Sequence, residues 1–361
     1  MSLRACLFAA GLLTAAMIAT SSAANLTEGM AKGTPEIKSV GPATFAPQGI
    51  LLLGDTQGAT IYAIATGDAA LGAAKAPLNV EQLDEKIAAL LGTSKGEIVI
   101  HDLAVNPETG NAFLTVSRGR GPEAKPVIVR VDASGSVGEF PLKDVLFSKA
   151  AIPNAPENNK DRLDVTTDLQ FAGGQVIVAG LSNEEFASKL RTIPFPFGAV
   201  GNGASVEIYH GAHGKFETRS PIRTLALFSI GGEPNVLAAY TCTPLVKFPV
   251  SDLKSGAKIK GTTVAELGNH NRPLDMVVYN KDGKDYLLMA NSARGVMKVD
   301  LANVATADGI TEKIANTAGL PYETIKDVKG VEQLDRLNKE NAVVLVKNEG
   351  GAYSLKAIPL P

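Results

Sequence analysis

Tryptophan is absent from this 361-residue chain, and aromatic residues together make up only 5% of it. Few ring faces are available for sugars to stack on, which counts against a carbohydrate lectin. Cysteine is nearly absent too, with only Cys6 and Cys242 present. Cys6 lies within an N-terminal leader, so the mature chain is expected to carry a single thiol, form no intramolecular disulfide and rely on its core for stability. Neither sign of charge dominates: 35 Lys and Arg face 37 Asp and Glu, a net charge of −2. That balance gives no footing for counterion-driven nucleic-acid binding. Also missing are C-x-x-C-H, H-E-x-x-H, the P-loop, G-x-S-x-G and the EF-hand loop, which removes covalent haem, the common zinc hydrolases, nucleotide cradles and serine-elbow hydrolases.

What is present is a 45% hydrophobic chain with 36 Gly and 20 Pro, enough apolar residue for a large core and many turns. The first segment reads as a secretory leader. Arg4 supplies the positive start, Ala5 to Ala19 the apolar run, and Ser22-Ala23-Ala24 the small-residue cleavage pattern, so the mature protein is expected to begin at Asn25. No later apolar run reaches the ~18 residues of a membrane span. A periplasmic or extracellular monomer of 337 residues with net charge −3 is the expectation.

The rest of the chain repeats. Six units carry a short apolar strand, a polar turn, a more aliphatic second strand and a third strand. The first turns include Ala46-Pro47-Gln48-Gly49, Asn106 to Asn111, Ala172-Gly173-Gly174-Gln175 and Asn280 to Lys284, all of hairpin chemistry. Second strands are predicted at Ile50 to Gly54, Ala112 to Ser117, Val176 to Leu181, Val236 to Thr241, Tyr286 to Asn291 and Ala342 to Lys347. Third strands are predicted at Thr60 to Ala65, Val127 to Val131, Val206 to His210, Leu245 to Val250, Val296 to Leu301 and Ala352 to Ile358. Taking Pro42, Asp102, Asp168, Thr224, Asp275 and Val331 as equivalent, the intervals are 60, 66, 56, 51 and 56 residues, and six units of about 56 consume the mature chain. Antiparallel repeats of this length define an all-β, six-bladed β-propeller, with seven blades as the other count.

The segment Asp102-Leu103-Ala104-Val105-Asn106-Pro107-Glu108-Thr109-Gly110-Asn111-Ala112 resembles the inner hairpin of secreted or periplasmic propeller proteins of the six-bladed type. The resemblance is architectural and singles out no one family. The WD dipeptide and tryptophan docking motifs are excluded by the missing tryptophan, and the sialidase aspartate boxes are missing as well.

Four stretches break the strand pattern. Val80 to Leu91 has helical spacing, Lys143 to Leu163 reads as a Pro/Asn-rich loop, Asn183 to Gly203 carries a short helix at Glu184 to Leu190, and Ala305 to Lys329 links the last two units. In a propeller the loops leading into each blade share a face with the loops joining second and third strands, and binding residues concentrate there. The candidate ligand-binding set on that face is His101, Asp102, Arg118, Asp168, Asn183, Arg223, Cys242, His270, Asn271, Arg272, Asp275 and Asn291. His270-Asn271-Arg272-Pro273-Leu274-Asp275 is the densest cluster. His101 beside Asp102 has the makings of a general base. Part of the set has a structural task, because inner-strand Asp residues can bond the amides of neighbouring blades. His210 and His213, flanking a Gly-Ala turn, read as a solvated hairpin rather than a metal site.

A small molecule or partner protein held at this mouth is the leading expectation. The resemblance also implies two chemistries. Calcium-dependent lactonases and esterases of this architecture hold Ca²⁺ through oxygen ligands, for which the donors here are Asp55, Asp102, Asp168, Asn183, Asp275 and Asn291. Quinone-dependent sugar dehydrogenases use a His base with Arg nearby, roles matched by His101, Arg118 and Arg272. A copper site from Cys242, His270 and Met289 is a further reading.

Overall fold

The computed structural model describes residues 25–68, 78–242 and 244–361. The segment expected to be a leader, with Cys6, lies outside the described residues. Six sheets surround a channel, one for each repeat, as the spacing predicts; they are antiparallel apart from Lys258–Lys260, which runs parallel beside Ala204–His210 of repeat 3. All six predicted second strands are present, from Ile50–Asp55 in repeat 1 to Asn341–Lys347 in repeat 6. Both faces of these strands are buried, so they read as continuous aliphatic runs. Four first hairpins turn through two successive residues in the left-handed region: Gln48 and Gly49, Gly173 and Gly174, Gly231 and Gly232, Asp282 and Gly283. In the last three, closed by the pairs Ala172 and Gln175, Ile230 and Glu233, and Lys281 and Lys284, these are the positive φ values a two-residue I′ turn requires, which explains the Gly at each second position; the first is a three-residue loop, Pro47-Gln48-Gly49, between the paired Ala46 and Ile50.

The repeats do not follow one another around the ring. Alternate residues of Ile50–Asp55 show this: Leu51 and Leu53 pack on Ala104, Phe113 and Ile128 of repeat 2, while Ile50 and Leu52 pack on Leu169, Val176 and Val178 of repeat 3. Repeat 2 in turn packs against Val343, Leu345 and Leu355 of repeat 6. The circular order is therefore 2-1-3-4-5-6, with the first two repeats exchanged relative to chain order.

Outer strands make the exchange possible. After repeat 1 the chain lends Asn79–Val80 to the edge of repeat 6, beside Tyr353–Pro359. It then forms the predicted helix, at Leu83–Leu90, and enters repeat 2 at Ile98–Val105. After repeat 2 it returns as Val145–Ala151, pairing with Thr60–Ala65 of repeat 1 over six residues. Two clasps thus join segments distant in sequence.

Several sequence expectations are corrected here. Lys143 to Leu163 is not a simple loop, since it contains that returning strand; the turn-forming Pro153, Asn154 and Pro156 just beyond it masked the strand character of Val145–Ala151. The helix expected at Glu184 to Leu190 is instead a bend that runs into the strand Ser188–Pro194, which is the true third strand of repeat 3 and makes Ala204–His210 the fourth. Its Lys189 and Arg191 hid a buried strand behind charge. Ala305 to Lys329 contributes Thr317–Gly319 to repeat 4 and Tyr322–Ile325 to repeat 5.

Candidate functional site at the channel mouth

Four inner strands carry the same irregularity at the same height. Register shifts fall between Ile100 and Asp102, Ile222 and Thr224, Pro273 and Asp275, and Val331 and Gln333. The extra residues are His101, Arg223, Leu274 and Glu332. A bulge bends the strand and re-aims its side chain, and His101, Arg223 and Leu274 line a cavity of about 650 Å³ at one end of the channel.

Below these bulges the channel narrows to an acidic neck. Asp102, Asp168 and Asp275 border both the upper cavity and a lower one of about 250 Å³, where Asp335 and Arg336 join them. Each carboxylate is a clasp between blades. One oxygen accepts the next residue's amide, as from Leu103, Leu169, Met276 and Arg336. The other accepts an amide of the adjacent blade: Ala43 to Asp102 at 2.7 Å, Leu225 to Asp168 at 2.6 Å, Leu334 to Asp275 at 2.9 Å and Val105 to Asp335 at 2.7 Å. Burial is the main cause that raises all four acids, Asp168 to about 7 and Asp335 to about 6, and mutual repulsion pushes Asp102 and Asp275 up further.

The rim above is cationic. Arg223 pairs with Asp164 at 2.9 Å. Arg272 lies beside it: burial lowers its guanidinium from the usual range, and the neighbouring Arg223 charge adds to that effect. Among the described residues Arg272 forms no ion pair. Across the mouth the His101 imidazole meets the Ser117 hydroxyl at 2.7 Å through Nε2, and burial lowers its pKa. Thr166 and Thr167 line the same cavity, but their Oγ1 atoms are buried beneath its surface and have no hydrogen-bond partner among the described residues.

Of the twelve candidates, the structure brings six to this mouth: His101, Asp102, Asp168, Arg223, Arg272 and Asp275. The other six lie elsewhere. Asn271 and Asn291 are buried and bonded to each other at 2.9 Å, with Asn291 also capping the turn to Ala293 and Arg294. Cys242 donates its amide to the Asn271 carbonyl, and His270 is exposed in a left-handed conformation at φ 55°. Arg118 and Asn183 are exposed away from the cavity. Arg120 takes the place expected of Arg118, because Gly119 and Gly121, both at positive φ, swing the chain inward around it. The Gly-Arg-Gly triplet was the available signal. Lys38 and Asp164 also line the mouth and lie in segments without motif.

The proposed calcium donors do not assemble as one set: Asp102, Asp168 and Asp275 share the neck, each already accepting backbone amides, but the other three are elsewhere. Asp55 is filled by the amides of Lys38, Ser39 and Gly58 and the Ser39 hydroxyl, and Asn183 and Asn291 stand outside the mouth. Met289 of the copper reading is fully buried in the core between repeats 4 and 5.

No protein-family profile and no curated protein matches the chain. Among solved structures it is similar to the PQQ-bound aldose sugar dehydrogenase of Streptomyces coelicolor, at 11% identity and TM-score 0.37 over 91% of this chain and 95% of that one. It is also similar to an oxidoreductase (glucose dehydrogenase) of Thermus thermophilus, at 11% identity and TM-score 0.35 over 91% and 100% of the two chains. The plexin A4 extracellular region matches at 10% identity and TM-score 0.40, over 92% of this chain and 40% of that one. The class is that of six-bladed β-propellers, as the six sheets around the channel define it.

Proposed function

We propose that this propeller is exported and binds a small organic acid at its upper mouth. The observation that carries the reading is Arg272, a partly desolvated guanidinium on the rim, set beside Arg223 with no ion pair among the described residues. Two adjacent guanidinium groups repel each other, and a bound carboxylate relieves that repulsion through charge-assisted, bidentate hydrogen bonds. The leader-like first 24 residues support export. No helix among the described residues is long and apolar enough to cross a membrane.

The test is calorimetric titration of the mature protein with aldonates and uronates alongside the matching neutral sugars. Acids are expected to bind and neutral sugars not. Arg272→Gln should weaken binding roughly 10- to 100-fold, the worth of a charged hydrogen bond, with the melting temperature unchanged. Equal affinity in Arg272→Gln, or no acid binding, overturns the reading.

A second reading, an enzyme of the lactonase or quinone-dependent dehydrogenase type, draws on one observation. His101 faces the cavity with its pKa lowered, so that it is neutral and able to accept a proton at neutral pH. Lactone hydrolysis or quinone-dependent sugar oxidation that is lost in His101→Gln would favour it.

A further inference from the structure

The outer edge of repeat 3 holds a second cluster, remote from the mouth. His210 ends the strand Ala204–His210, and a tight turn closed by Gly214, at φ 67°, brings His213 back over it. The two imidazole rings lie 3.9 Å apart between centroids. Glu217, from the returning strand Lys215–Glu217, reaches under both rings. Its Oε2 meets His210 Nδ1 at 3.0 Å and its Oε1 meets His213 Nδ1 at 2.6 Å. The three residues offer ligand atoms within 4.8 Å of one another. The sequence reading of a solvated hairpin does not fit, because His210 is only 3% exposed.

From this geometry we infer a zinc site with His210 Nδ1, His213 Nδ1 and a Glu217 carboxylate oxygen as its protein ligands. Two imidazoles and one carboxylate form a donor set that suits Zn²⁺ and leaves its fourth tetrahedral position to water. Hard cations such as Ca²⁺ and Mg²⁺ prefer all-oxygen sites. His213 is 47% exposed on its side chain, giving the ion a path from solvent.

A second observation points the same way. Among the described residues the buried His210 Nε2 has no hydrogen-bond partner, and neither has the buried Oε2 of Glu266, whose charge couples to His210. A metal on Nδ1 fixes the His210 proton on Nε2 and makes it a donor. Histidine ligands usually give that proton to a carboxylate, and Glu266 is the nearby acid left with an open oxygen. Glu266 also anchors the turn, accepting the Gly211 amide at 2.6 Å through Oε1, while the Gly211 carbonyl accepts the Ile314 amide at 2.9 Å. A bound ion would therefore rivet the outer hairpin of repeat 3 at its contact with repeat 4.

The test uses tag-free mature protein stripped with chelator and titrated with ZnCl₂, read by elemental analysis and by melting temperature. One ion per chain is expected, with a melting-temperature rise of roughly 4 °C at about a hundredfold excess over Kd. The exposed ligand gives the safest variant. His213→Ala should lose both uptake and shift while its zinc-free melting temperature falls by no more than about 2 °C, the worth of one partly exposed hydrogen bond. Cys242→Ser should keep both. No saturable uptake, uptake that survives in His213→Ala, or uptake lost in Cys242→Ser overturns the assignment.

Discussion

The Asp335 carboxylate accepts the amide of Val105 at 2.7 Å across 230 residues of chain. This bond joins repeat 6 to repeat 2, with repeat 1 seated on the far side of repeat 2, and its partner from Ala43 to Asp102 makes the next step around the ring. Closure thus falls on buried carboxylates as well as on the exchanged outer strands. Asp335→Ala should cost about 1–3 kcal/mol, because the Val105 amide is left without its acceptor. Denaturant unfolding gives the magnitude, and amide exchange should accelerate at Val105 more than at amides of repeats 3 and 4. Uniform acceleration across all six repeats would contradict a local clasp.

The pH dependence has a definite sign at the neck. Asp168 titrates at about 7 in the folded protein, against an ordinary value of 3.8. Between those values the native state binds the proton that the unfolded chain releases, so this group's contribution is fully present below about pH 4 and is lost as pH rises through 7. Asp168→Asn imitates the protonated acid. The variant should gain stability relative to the parent as pH climbs from 4 to 7, and the difference should level off above that. A pH-independent difference in melting temperature would show that Asp168 is not held protonated.

Much of the ring was legible because second strands are buried on both faces. A run such as Ile50-Leu51-Leu52-Leu53 has no other stable place to go. The glycines at paired left-handed positions marked the hairpins equally well. Circular order was not legible, since repeat spacing says nothing about which neighbour a blade meets. The exchange depends on Asn79–Val80 and Val145–Ala151, outer strands whose sequences carry little periodic signal. At the site, the Asp-bearing inner strands were visible, but the bulges were not. Those bulges decide that His101 and Arg223 reach the mouth, whereas the polar Asn271 and Asn291 satisfy each other in the interior.

Two strand glycines should respond oppositely to the same change. A Cβ on Gly180 would stand 2.0 Å from the Val165 carbonyl oxygen, where the backbone leading into repeat 3 crosses the strand. A Cβ on Gly138 would meet nothing within 4 Å, and its φ is not left-handed. Gly180→Ala should therefore destabilise by roughly 1–3 kcal/mol or more through forced backbone movement. Gly138→Ala should be neutral or stabilise by up to about 1 kcal/mol, because it restricts only the unfolded chain. Thermal unfolding of the two variants side by side decides the matter, and equal effects would contradict the close approach at Gly180.

Arg191 offers the least intuitive outcome. It is 1% exposed on the strand Ser188–Pro194, and its Nε, Nη1 and Nη2 atoms have no hydrogen-bond partner among the described residues. Burial pushes the guanidinium down to about 10. The neighbouring Lys189 is by contrast well served, with Glu184 and the Ser205 hydroxyl as partners. An unpaired charge in the interior costs free energy that an apolar side chain of similar length does not. Arg191→Met should therefore leave the melting temperature unchanged or raise it, in contrast to the usual loss on altering a buried residue. A loss above about 3 kcal/mol in denaturant unfolding would contradict this, since removing one member of a satisfied buried charge network has that cost.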